Sequence, residues 1–65
     1  MHSATRLLNQ AIEVWHEEDT KFATGNSAAG TRARKALAEI AKLAKLRRSE
    51  ITAEKLANKE AKAEQ

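Results

Sequence analysis

Ala4, Leu8, Ala11, Trp15 and Phe22 recur at steps of four and three along the first third of the chain, and Glu18 stands at the one step where an apolar residue is missing. That spacing lines them up on one stripe of an α-helix, which Leu7 and Ile12 widen. It predicts helix one over about 4–23, with Ser3 or Thr5 as the cap at its start. Gly25 and Asn26 are the residue types that tolerate the left-handed conformation ending a helix, so a turn is expected at about 24–27.

The next stretch keeps a helical period. Asn26 and Ser27 are both good N-cap residues, so helix two is expected from about 27, with Gly30 tolerated in its first turns at a cost of about 1 kcal/mol relative to Ala. Gly30, Ala33, Leu37, Ile40, Ala44, Arg47 and Ile51 form its apolar seam in this reading. Folding back at Gly25–Asn26 then sets Phe22 against Ala29 or Ala33, Trp15 against Leu37 and Leu8 against Ala44. Large opposes small at most levels, which lets the two helices approach closely. Beyond Thr52 the helix propensity persists, but Leu56 is the one larger hydrophobe left. Residues 1–52 therefore read as a helical hairpin, and 53–65 as a charged helical extension fraying toward Gln65. The expected fold class is all-α: a two-helix antiparallel hairpin with a longer second helix.

Length limits what such a hairpin can do alone. A chain of 65 residues lies below the ~70–80 at which one core usually suffices, and it contains no Cys for disulfides or thiolate metal sites. Ala36 and Leu43 flank the expected seam and Ile51 lies past the reach of helix one. These edges point to a homodimer, as in a helical bundle. Proline is absent, glycine occurs twice, and no apolar run approaches the ~20 residues of a membrane span. The N-terminus carries no secretory pattern, so a cytoplasmic protein is expected.

Net charge is +3, and its distribution says more than its size. Arg6 and Lys21 are outweighed by Glu13, Glu17, Glu18 and Asp19 in residues 1–24, whereas residues 25–48 hold seven Lys or Arg against Glu39 alone. The tail is nearly balanced, with three Lys and four Glu. Arg34, Lys35, Lys42 and Lys45 share an arc of helix two opposite Ala33, Leu37, Ile40 and Ala44, with the short Ala38 and Ala41 between them. Arg32, Arg47 and Arg48 lie nearer the seam, which their aliphatic stems can cover. At the start of helix two, free backbone N–H groups around Asn26, Ser27 and Ala28 add an anion-attracting corner close to Arg32 and Arg34. A phosphate polyanion fits this arrangement. Base reading fits less well: few Asn or Gln accompany the cations, and Trp15 and Phe22 belong to the seam.

Other chemistry finds little footing. His16 has Ile12 and Thr20 as its helical neighbours, so no metal site forms around it, and Ser27 and Thr31 have no His nearby in sequence to activate them. The acidic run Glu17, Glu18, Asp19 reads as a solvated face or a contact with the basic block. "GNSAAG" lacks the preceding strand and the terminal Lys-Ser or Lys-Thr of a nucleotide loop. No enzyme, cofactor, metal or small-molecule substrate is expected.

"GNSAAGTRARKALAEIAKLAKLRRSEI" resembles the bacterial linker-histone-like family, the chlamydial histone-like DNA-binding proteins and their short relatives. The likeness runs from about Phe22 to Lys55. It rests on Gly25-Asn26, Ala28-Ala29, the block from Thr31 to Lys35, and Leu37, Ile40, Leu43 and Ala44 leading into Arg47-Arg48. The resemblance implies a sequence-tolerant, nucleoid-associated protein that compacts or coats duplex DNA, with Arg32, Arg34 and Lys35 matching the family's basic motif. Longer members continue into a Lys-, Ala- and Pro-rich tail, whereas residues 53–65 here mix Lys with Glu and contain no Pro. What is implied is therefore a folded basic hairpin rather than condensation by a basic tail. The expected contacts are Asn26, Ser27, Arg32, Arg34, Lys35, Lys42, Lys45 and Arg48. A virus-encoded chain would place the same protein in a phage particle, and the alternative is a helical scaffold or virion component docking on an acidic protein surface.

Overall fold

The computed structural model describes residues 3–63, and all of its regular structure there is helical. Helix α1 spans Ser3–Ala23 and helix α2 spans Ser27–Ala63, packed side by side as an antiparallel hairpin. Thr5 lies inside the first turn rather than capping it; the cap expected of the Ser3 side chain and the fraying expected at Gln65 fall outside the described residues.

The corner is built from backbone hydrogen bonds that leave no slack. Gly25 takes φ of 104°, its N–H donates to the Phe22 carbonyl at 2.9 Å, and the Asn26 N–H reaches the Lys21 carbonyl at 3.1 Å. This is the paired closure of a Schellman end, available to glycine because no Cβ opposes a positive φ. Asn26 then opens α2, its Oδ1 accepting from the Ala29 N–H at 3.1 Å. One residue thus completes the closure of the first helix and caps the second.

Two contacts fix the register of the helices. The Phe22 ring lies over Gly30, where an added Cβ would sit 2.7 Å from Cδ1 and 2.8 Å from Cε1, and the Glu18 carboxylate pairs with the Arg32 guanidinium. Continuing this register places Trp15 level with Ala36, Ala11 with Ile40, Leu8 with Leu43 and Ala4 with Arg47. The seam of α2 is therefore Ala29, Ala33, Ala36, Ile40, Leu43 and Arg47, all buried or half-buried.

This corrects the expected seam by one residue at alternate positions. Ala36 and Leu43 take the places expected for Leu37 and Ala44, Ala29 is buried beside Gly30, which is where Phe22 lies rather than against Ala29 or Ala33, and Leu37 and Ile51 are 47% and 43% exposed. Trp15 consequently meets the level of Ala36 rather than Leu37, and Leu8 that of Leu43 rather than Ala44. Alanine at the closest approach lets the backbones come together under bulky partners, which leucine in the same place would hold apart. Ala36 and Leu43, expected as edges for a partner chain, are spent inside the hairpin.

The result is a rod of 58 × 14 × 13 Å. Because α2 outruns α1, its residues beyond Arg47 project as a single helix. The buried apolar set of Ala4, Ala29, Ala33, Ala36 and Leu43 is thin, and among the described residues no large side chain is fully enclosed.

Candidate nucleic-acid interface

Since the seam consumes one side of α2, its opposite side is solvent-facing by construction. Arg34, Lys35, Lys42, Lys45 and Arg48 are all exposed there. None of them forms an ion pair among the described residues. Ala38 and Ala41 separate the charges, so the helix backbone can approach a polyanion while the longer cations reach along it.

The remaining expected contacts are placed differently. Arg32 is exposed, but its Nε donates to Glu18, so its charge is largely answered within the hairpin. Glu18 is only 8% exposed and has Lys21 Nζ at 3.6 Å as a second partner. The hydrogen bond from Arg32 is the main influence holding this carboxyl below its ordinary value, against the opposing effect of desolvation. Asn26 spends its side-chain oxygen on the cap, while Ser27 is exposed beside it at the corner.

A second polar cluster lies at the far end of the seam. Arg47 Nη1 donates to Glu50 Oε1 at 3.1 Å and to Glu54 Oε2 at 3.0 Å. The guanidinium is bent along the seam side of α2 and away from the cationic face. Sequence reading offered a contact between the acidic run and the basic block, which Glu18 makes with Arg32, without naming that pair, and it missed the Arg47 group. The signals for the two groups were Glu18 at an interior step of the helix-one stripe, facing a basic block, and Glu50 and Glu54 at helical spacing from Arg47.

On the flank between the two faces, Phe22, Gly30, Ala33 and Leu37 line a shallow hollow with Asp19 and Arg34 at its rim. Phe22 is 54% exposed and Ile12 40%, so with Leu37 and Ile51 this flank carries an exposed apolar patch. Among the described residues no group of three His, Asp or Glu gathers as metal ligands would, and no helix is long and apolar enough to cross a membrane.

No curated protein and no solved structure matches the chain. The family model described as histone H1-like protein Hc1 matches residues 4–57. The match takes in both helices, the corner and most of the projecting end of α2, well beyond the segment that carries the sequence resemblance. With a hairpin that presents Arg34, Lys35, Lys42, Lys45 and Arg48 away from its seam and a match across most of its length, the chain belongs to the histone H1-like Hc1 family.

Proposed function

We propose that this is a small histone-like protein that binds duplex DNA through phosphates, without reading sequence, and coats or compacts it in the nucleoid. The observation that carries the reading is the exposed cationic face of Arg34, Lys35, Lys42, Lys45 and Arg48, none of which is paired to an acid among the described residues. Arg32 contributes chiefly to the hairpin; the N–H groups of Thr24, Gly25, Asn26 and Ala29 are used in the corner itself, which leaves Ser27 and the N–H groups of Ser27 and Ala28 as secondary contacts. The reading involves no catalytic step and no cofactor.

Cations that neutralise about four phosphates per subunit release the counterions held there, so log affinity falls with log salt at a slope at least as steep as about −3.6. Binding to random duplex DNA across a salt series tests this, and a flat response overturns it. Arg34→Ala weakens binding equally on unrelated sequences; a loss confined to one sequence contradicts a phosphate-only mechanism.

The reading includes a homodimer. Its motive is the apolar flank of Ile12, Phe22, Leu37 and Ile51, which takes over from Leu43 as the surface left for a second copy.

A further inference from the structure

Residues 49–65 look nearly neutral when their charges are simply counted, yet the helix does not present them that way. Glu50 and Glu54 continue the seam and are held there by Arg47. Lys55 and Lys59 fall instead in the seven-residue columns that carry the hairpin's cations: Lys55 follows Arg34 and Arg48, and Lys59 follows Lys45. Both are exposed, and no acid shares those columns among the described side chains. Two shallow hollows lie end to end on this side of the projecting helix. One is lined by Lys45, Arg48, Ser49, Thr52, Ala53 and Leu56, the other by Thr52, Lys55, Leu56 and Lys59. The Thr52 hydroxyl donates to the Arg48 carbonyl, so the cations and the Ser49 hydroxyl are the donors left to meet a ligand.

We infer that the projecting end of α2 is a second phosphate-binding arm for duplex DNA, with Lys55 and Lys59 extending the hairpin's cationic face. The inference rests on the DNA-binding reading above. Charge and length both favour this occupant. From Arg34 to Arg48 the face covers about 21 Å, and from Arg34 to Lys59 about 38 Å, at 1.5 Å per residue. The longer span matches about one turn of B-DNA, ~34–36 Å. Arg47 makes the arm usable: it holds Glu50 and Glu54 on the seam side, away from the columns of Lys55 and Lys59.

The test is a salt series on random duplex DNA with the full chain and a Lys55→Gln, Lys59→Gln variant, helix content being followed by circular dichroism. Glutamine forms helix about as well as lysine, so the fold is retained. An Arg6→Gln, Lys21→Gln variant of equal net charge is the control. The arm variant is expected to have a slope shallower by about 1.8, two contacts at ~0.9 each, while the control keeps the parent slope. A steep parent slope left unchanged in the arm variant overturns the arm and leaves the hairpin reading standing, whereas a flat parent slope overturns both. Equal shifts in arm variant and control also overturn the arm, by reducing it to net charge. So does binding to anionic phospholipid vesicles that is lost in the arm variant while its DNA slope is unchanged.

Discussion

Glu18 is an acid in the middle of an apolar stripe, and it persists there because Arg32 and Lys21 reach it. With its folded pKa below the ordinary carboxyl value of 4.5, the pair stabilises the hairpin above that value and loses its contribution as pH falls through the lowered one. Thermal melts should therefore show stability declining below about pH 4.5. Glu18→Gln should flatten that acid limb; an unchanged limb would move the effect to other carboxyls. The stripe itself was legible because Ala4, Leu8, Ala11 and Trp15 keep strict helical steps. The role of Glu18 was not, since its partner lies on the other helix and only the register brings the two together.

At the scale of the helices, the Gly25–Asn26 corner could be read from residue type alone, because few residues combine a left-handed helix end with an N-cap. The seam of α2 could not. Two seven-residue columns, one with Leu37 and Ile51 and one with Ala36 and Leu43, lie side by side on a helix where alanine is common, and hydrophobicity favours the wrong one. Close approach decides it for Ala36 and Leu43, while near the corner the other column also meets α1, where Phe22 lies over Gly30. Gly30→Ala gains about 1 kcal/mol of helix propensity when the ring is absent, so the substitution should stabilise a Phe22→Ala background by about that amount. In the native sequence the ring must move and the gain should vanish. Urea unfolding of the four combinations gives the coupling, and additive effects would mean that the ring does not press on Gly30.

The whole molecule is a rod with little enclosed apolar volume, and its family was legible because the motifs around the corner and the basic block are local in sequence. The cationic face was legible for the same reason as far as Lys45, whereas Arg48 was read as nearer the seam and stands exposed with the other cations. The continuation of the face into Lys55 and Lys59 was hidden by neighbouring glutamates that are near in sequence and turned elsewhere in space. The apolar flank makes a further prediction. Leu37→Glu with Ile51→Glu should shift the protein from dimer to monomer in sedimentation velocity and lower its melting temperature. A native chain that sediments as a folded monomer at micromolar concentration removes the dimer.

The bend of the hairpin depends on one torsion angle, the φ of 104° at Gly25. An alanine there costs about 1–2 kcal/mol in the left-handed region, while Ala23, Thr24 and Ser27 on either side can all continue a helix. A chain freed from the bend would straighten into one unbroken helix and bury the same alanine seam against the opposite half of a second molecule, trading a self-contained protomer for an exchanged pair. That glycine thus decides whether each molecule folds upon itself or borrows half its interior from a neighbour.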